Sequence, residues 1–340
     1  MSPDGPTPRG ASRAGWTLVG SGAAGVGAVV CAVLAVPLGA GLPVVAQLVA
    51  FRAALGLAML VAAVLLGVVA VFVPRSARVA ALPLAVVLAL GGIAQGAVLV
   101  ARSAGSAGSA ASAQQGPPLT VLSFNTLDVV PPQTLARLVE QQDADVVVLP
   151  ETSSATADQT RNLLADAGIA MQQLDAPSLD PGVAGVALLV SPTVGDYPDA
   201  TTLDMQHGAL RADPDGRGPV IGAVHPVAPS SLDAMQTWRA ESRAGADVCA
   251  DHPGAIVAGD FNAMIDHPGL RHLGPCVDAA REVGEAATGT WPASAPGWLA
   301  TPIDHVLVDG RAWRVLDFRV LPATGGSDHR PVVATIEARQ

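Results

Sequence analysis

Four short stretches hold the side chains whose types and spacing could do chemistry: Ser123-Phe124-Asn125, Pro150-Glu151-Thr152, Gly259-Asp260-Phe261-Asn262 and Gly326-Ser327-Asp328-His329. Asn125, Glu151, Asp260, Asn262 and Asp328 all offer hard oxygens, and the histidines are too scattered for a zinc site. Carboxylate and amide oxygens, together with water, suit Mg²⁺ or Mn²⁺. Such a cation beside an acid and an imidazole suits in-line attack of water on phosphorus. The cation polarises a phosphoryl oxygen and steadies the leaving oxygen, an acid holds the water, and a donor meets the charge that develops. Two of these stretches, and His225, also have plainer readings. Glu151 could be a helix cap or a turn acid, Asp260-Phe261-Asn262 an ordinary Asx turn, and His225, just ahead of Pro226, a structural histidine.

The elements that must position these groups are legible as apolar runs. Residues 119–124, 145–149 and 255–259 read as strands, and each ends at one of the polar stretches. Residues 303–308 read as a strand that puts Asp304 and His305 on opposite faces. Residues 312–321 and 332–338 supply the last strands, and 183–190 another. Residues 209–212 and 220–225 suit a hairpin across Pro214-Asp215-Gly216. Helical spacing marks 133–142, 158–167 and 231–250. Trp291 and Trp298 lie in a loop-like region, where rim packing and substrate contact are both open. Strands and helices alternate, but with hairpin signals in the middle. That order predicts two packed sheets with helices outside, not one parallel doubly wound sheet.

Composition divides the chain. Residues 1–102 are mostly Ala, Val, Leu and Gly, and contain three apolar runs at 16–36, 53–73 and 79–101. Each is long enough to cross a hydrocarbon core of roughly 30 Å. Residues 37–51, with Pro37 and Pro43, read as a loop dipping at the membrane surface. Arg9, Arg13, Arg75 and Arg78 lie on one side of the predicted spans, and Arg52 and Arg102 on the other. The arginine excess puts the N-terminus in the cytoplasm, and three spans then deliver the rest to the outer face. Residues 103–118 are rich in Ser, Ala, Gly and Gln and read as a flexible tether. From Gly116 onward there are 28 acidic residues against 13 arginines, a net charge of −15. Long nucleic acids reward basic surfaces, so the domain argues against them as partners. The chain contains no lysine, which excludes Schiff-base and P-loop chemistry. Cys249 and Cys276 are either a disulfide, if the domain faces an oxidising compartment, or two separate buried thiols.

Taken together, the spaced set Ser-Phe-Asn125, Pro-Glu151-Thr, Gly-Asp260-Phe-Asn262, Ile-Asp304-His and Ser-Asp328-His329 resembles the endonuclease/exonuclease/phosphatase superfamily, the class of DNase I and neutral sphingomyelinases. The resemblance spans 119–338 in family order. It implies a four-layer α/β sandwich. It also implies Glu151 as principal metal ligand, assisted by Asn125 and Asp328. Asp260 would orient and deprotonate the attacking water, and Asn262 would hold that water or the phosphate. His329 would contact the scissile phosphate with Asp304 fixing its ring, and His225 would stabilise the phosphoryl charge. Where the family often carries an acid two residues after the first Asn, this chain has Leu127, with Asp128 one further on; Val224 stands where Thr usually precedes the histidine. The anchored, outward-facing arrangement also looks like the membrane phosphoesterases of the VanJ type, associated with glycopeptide-antibiotic resistance.

The expectation is thus an α/β four-layer sandwich of two mixed sheets, residues 119–340, preceded by three transmembrane helices in 1–102 and a linker at 103–118. Its activity would be Mg²⁺- or Mn²⁺-dependent hydrolysis of a membrane lipid or lipid-linked phosphate at the outer face of the cell membrane. The alternatives are a tethered extracellular nuclease and a non-catalytic envelope binding protein. Nothing in the sequence sets the oligomeric state.

Overall fold

The computed structural model describes residues 13–35, 37–105 and 117–339. Most of the expected linker, and Arg9 with the polar N-terminal segment, lie outside the described residues. The chain forms two compact units, Met1–Ala40 with Arg52–Leu99, and Gly41–Phe51 with Val100–Gln340.

Four helices open the chain: α1 (Arg13–Ala35), α2 (Val45–Ala50), α3 (Arg52–Phe72) and α4 (Arg75–Arg102). In the first unit, α3 and α4 are each long and apolar enough to cross a membrane. The described apolar part of α1 is shorter, Ser21–Ala35, so two of the three expected spans are met on length and composition. α3 and α4 approach closely at Gly92, where a Cβ would meet Leu60 Cγ at 2.7 Å and the Gly56 carbonyl oxygen at 2.8 Å. Arg52 heads α3 as a buried residue, not an exposed flank. Its guanidinium donates to Leu34 O at 2.8 Å and to Gln95 Oε1 at 2.5 Å.

The second unit continues with β1 (Leu119–Ser123), α5 (Pro132–Gln141), β2 (Val146–Leu149), α6 (Ser154–Asp166), β3 (Gln172–Ala176) and β4 (Val186–Val190). Then follow β5 (Ala200–Thr202), β6 (Ala209–Ala212), β7 (Ile221–Val224), α7 (Ala234–Asp251), β8 (Ile256–Asp260), β9 (Cys276–Asp278), α8 (Ala279–Val283), β10 (Asp304–Asp309), β11 (Trp313–Val320) and β12 (Val332–Ala338). Two six-stranded sheets result, in the orders β11-β12-β1-β2-β4-β3 and β5-β6-β7-β8-β10-β9. Both have the same plan. A central parallel pair, β1/β2 in one and β7/β8 in the other, is flanked by antiparallel strands on both sides.

Strand alternation builds the layers. Val121, Val146, Val148 and Leu188 of the first sheet pack against Leu210, Ile221, Ile256 and Val306 of the second in one buried cluster. The outward faces are covered as well. Leu122, Val147 and Leu149 meet α5 and α6, and Val224, Val257 and Leu307 meet Trp238 and Val248 of α7. Strands buried on both faces read as unbroken apolar runs, which is why β2 and β8 stood out in the sequence. The result is the expected sandwich of two mixed sheets between helices. Cys249 of α7 and Cys276 of β9 are joined as a disulfide, resolving the two readings of that pair.

Candidate active site

The shared plan of the two sheets decides where chemistry can sit. The carboxyl ends of β1 and β2 lead directly to Asn125 and Glu151, and those of β7 and β8 to His225 and Asp260. The antiparallel neighbours begin at the same end. Asp304, the first residue of β10, lies opposite Asp260 in register, and Val332, the first of β12, opposite Ser123, which brings His329 to the mouth. Residues far apart in sequence therefore meet because both sheets present matching strand ends.

Local backbone geometry aims them. Glu151 and Asn262 both take positive φ, 48° and 47°, just past their strands. The Glu151 turn is held by its own carbonyl, which accepts from Asp128 N at 2.7 Å and Thr126 Oγ1 at 2.6 Å. Asn262 is held from two sides. Its carbonyl accepts from Trp238 Nε1 at 2.8 Å, and its side-chain amide donates to Pro226 O at 3.0 Å. Gly259 runs so close to β7 that a Cβ would sit 1.9 Å from Val224 O. Only glycine fits there, and the close approach places Asp260 beside His225.

At the centre, Asn125 donates through Nδ2 to Glu151 Oε1 at 2.9 Å and Asp260 Oδ2 at 3.0 Å. Its Oδ1 accepts from Leu127 N at 3.0 Å. In this orientation Asn125 ties two carboxylates together; serving as a metal ligand would require its amide to turn over. Asp260 Oδ1 accepts from Asn262 N at 2.8 Å. His329 Nδ1 donates to Asp304 Oδ2 at 2.9 Å, and its Nε2 stands 3.5 Å from Asp260 Oδ2. His225 Nε2 lies 3.7 Å from Glu151 Oε1 and 3.6 Å from Asp260 Oδ2. Asp328 accepts from Trp291 Nε1 at 2.8 Å through Oδ2. Every site residue proposed from the sequence is therefore in one neighbourhood. Asp128, by contrast, points away: it accepts from Ser153 N at the start of α6, while Leu127 lines the cavity.

Burial separates the charges of these groups. Asp260 is pushed up to about 7, first by burial and then by nearby Asp304, against the lowering effect of His329. Burial acts to lower His329, but Asp304 and Asp260 beside it outweigh that and hold it up at about 10. His225 is held well below its ordinary value by burial, with His207 and His329 adding to the effect. The site thus offers one charged imidazole, one neutral imidazole and an acid poised near neutrality.

A cation fits the donor set. The cavity over this centre, about 400 Å³, is lined by the carboxylates of Glu151, Asp260 and Asp328, and no arginine lines it among the described residues. An anionic phosphoryl group would face those carboxylates with only histidines in opposition. Asp328 Oδ1 and Asp304 Oδ1 are buried without a hydrogen-bond partner. Ligand atoms of Asp260, Asp304 and His329 also lie within 4.8 Å of one another. His329 in that trio is bonded to Asp304 and carries a proton, so it suits an anion better than a metal. Glu151 and Asp260, both bonded to Asn125 Nδ2, form the better cation end, and Asp328 lines the same cavity.

Several contributors were not among the site residues proposed from the sequence. Ala46, Gln47, Ala50 and Phe51 line the same cavity, although their segment read as a surface loop. The Trp291 ring packs against Phe51 at 5.9 Å centroid distance, tilted by 50°, and lies 6.5 Å from the His329 ring. His207 stands 4.8 Å from the His225 ring. The buried Glu241 of α7 accepts from Gln206 N at 2.9 Å and Val227 N at 2.7 Å, fixing both loops that carry these histidines. A glutamate on the inward face of an otherwise regular helix was the one signal the sequence held for it.

The sequence model of the Endonuclease/Exonuclease/phosphatase family matches residues 122–329, from the end of β1 to His329. The chain belongs to this family. Members of the endonuclease/exonuclease/phosphatase family are hydrolases of phosphate esters and are typically divalent-metal dependent. Among solved structures the chain is similar to an endonuclease/exonuclease/phosphatase from Beutenbergia cavernae, with 19% identity, TM-score 0.53, and 66% of this chain and 72% of that one covered. It is also similar to D. rerio TDP2 complexed with single strand DNA product, with 14% identity, TM-score 0.51, and 65% of this chain and 100% of that one covered. At these identities the likeness is one of fold. No curated protein matches the chain by sequence.

Proposed function

We propose that this family member is a divalent-metal-dependent phosphoesterase acting on a lipid or lipid-linked phosphate at the outer membrane surface, in the manner of the VanJ-type proteins. The observation that carries the reading is the cavity itself. An acid-and-histidine centre lies at one end, and the remaining lining is largely apolar, with Ala46, Phe51, Leu127, Trp291 and Ile303. Leu42, Val44 and Leu48, around α2, are exposed, as are Leu127 and Val129, an apolar fringe suited to a lipid surface. Topology with α1 as the third span, and an outward-facing domain, is supported by the arginine distribution. The Cys249–Cys276 disulfide fits an oxidising compartment.

Glu151 and Asp260, with Asp328 lining the same cavity, would hold a divalent cation, which when bound would supply Lewis-acid polarisation of the phosphoryl group. The chain does the rest. Charged His329 donates to a non-bridging oxygen, and Asp304 holds its ring and its proton. His225, neutral, offers a second nitrogen on the same side. Asp260 accepts the proton of the attacking water as its P–O bond forms and the P–O bond to the esterified oxygen breaks, that oxygen leaving with a proton taken from solvent; the Asn262 backbone N–H keeps the carboxylate turned for it.

The test is product release by the full chain in detergent, with three panels: prenyl phosphates and pyrophosphates, phospholipids, and single-stranded DNA. Hydrolysis confined to the lipid panels, lost in Glu151→Gln and on chelation, then restored by Mg²⁺ or Mn²⁺, is the expected result. Turnover of DNA alone would move the assignment to a tethered nuclease. Absence of Glu151-dependent product from all three would leave only a binding protein.

A further inference from the structure

Residues Gly41–Phe51 precede α3 in sequence, far from the family core, yet they are built into the second unit. Arg239 donates twice to Gly41 O, at 3.1 and 2.6 Å. Gln47 Nε2 donates to Pro229 O at 2.6 Å. His267 accepts Met264 N on Nδ1 at 2.9 Å, so its proton is on Nε2, which donates to Ala46 O at 3.3 Å. Ala46 itself is buried in the same cluster as Trp238 and Met235 of α7. The segment is thus fixed at several points along its length.

What it fixes is one wall of the cavity. Ala46, Ala50 and Phe51 present only hydrocarbon there, and Phe51 meets Trp291. Trp291 is bonded to Asp328 and lies next to His329, so the apolar wall starts where the phosphate centre ends. Gln47 of the same segment has its Nε2 committed to Pro229 O, and its Oε1 is buried without a hydrogen-bond partner, so the hydrocarbon of this wall comes from Ala46, Ala50 and Phe51. An apolar wall continuous with a phosphate centre is matched by an amphiphile with its phosphate joined to a hydrocarbon chain.

We infer that the α2 segment with Phe51, closed by Trp291, is a subsite for the first carbons of an alkyl or prenyl chain esterified to the reacting phosphate. The inference rests on the phosphoesterase reading and adds that substrate choice is set by residues outside the family-matched region. A form of the protein beginning after residue 102 would keep every acid and histidine of the centre and lose this wall.

The probes are methylphosphonate and hexylphosphonate, non-hydrolysable and water-soluble, titrated calorimetrically into the full chain in detergent with Mg²⁺. Each methylene that leaves water tightens binding about fourfold, so partial burial of the hexyl chain makes it bind at least about tenfold tighter than methyl. Phe51→Ala and Ala50→Asp should each cut that ratio to below about threefold, and Phe51→Leu should keep most of it. Methylphosphonate binding, changed by less than about twofold, certifies that each variant is folded. A hexyl advantage that is absent from the wild type, or that survives Phe51→Ala and Ala50→Asp, overturns the subsite. So does failure of both phosphonates to bind. The phosphoesterase reading fails separately, through absence of Glu151-dependent product from every ester.

Discussion

His329 shows how much one residue depends on its neighbours. Buried alone, an imidazole would be neutral; between Asp304 and Asp260 it holds a proton up to about 10. Asp304 does most of this, since its Oδ2 is at hydrogen-bond distance. Asp304→Asn keeps the shape of the site but removes the charge that keeps His329 a donor. We expect kcat for phosphate release to fall about 10²-fold or more, with KM changed by less than about threefold, because the lost interaction is one made in the transition state. Steady-state kinetics on the preferred ester decides it; an unaltered kcat would show that His329 holds its proton without Asp304. This pair was partly legible in the sequence. Asp304 and His329 could be placed at strand ends, and the family resemblance paired them, but 25 residues separate them, and the residues alone show no contact until β10 and β12 start at the same end of two different sheets.

At the scale of elements, β8 is where packing and site geometry are the same requirement. Gly259→Ala puts a methyl carbon 1.9 Å from Val224 O, a main-chain atom that cannot yield without parting the parallel pair β7/β8. A destabilisation above about 3 kcal/mol is expected, seen as a Tm drop of many degrees or loss of folded protein, and an unchanged Tm would mean the strands can part cheaply. On β10, His305 faces away from the site. Its two nitrogens meet Asp278 Oδ2 at 2.7 Å and Ala263 O at 2.8 Å, both acceptors, so the ring is an imidazolium. Burial works to lower its pKa, and Asp278 more than offsets that, so the folded value is raised. A raised value stabilises fully below the unfolded pKa of about 6.5 and is lost as pH climbs through the folded one. The Tm gap between wild type and Asp278→Asn should therefore be widest below about pH 6.5 and narrow as pH is raised above it; a gap independent of pH would contradict the charged pair. The sequence revealed β2, β8 and β12 because strands buried on both faces are continuous apolar runs. It concealed β3, a Gln-Gln-Leu-Asp-Ala edge strand without alternation, and the three-residue β5 and β9. It concealed α2 for the opposite reason, since in a stretch that is apolar throughout, no periodicity marks which face is buried.

For the molecule as a whole, charge and cavity pull toward the same class of substrate. The part from Gly116 onward carries a net −15, and the cavity over its centre has three carboxylates and no arginine among the described residues. A protein that grips a polyanion releases counterions, and with six phosphate contacts loses about 10³ in affinity between 50 and 200 mM salt. With 28 acidic residues against 13 arginines from Gly116 onward, this chain has no excess of basic charge to release them. A single phosphate on a hydrocarbon chain makes a different demand, one charge met by a cation and an imidazolium while the tail leaves water. For the full chain in detergent, binding of a single-stranded oligonucleotide should accordingly be weak at 50 mM salt and should hold steady or rise as salt screens the repulsion, over a Debye length of about 8 Å at 0.15 M. Binding of hexylphosphonate, carried by a short-range centre and an apolar wall, should change by less than about threefold over the same range. Fluorescence anisotropy for the oligonucleotide and calorimetry for the phosphonate give the two slopes. A steep fall with salt for the oligonucleotide would mean that a basic surface forms in solution, and the nucleic-acid reading would then displace the lipid one.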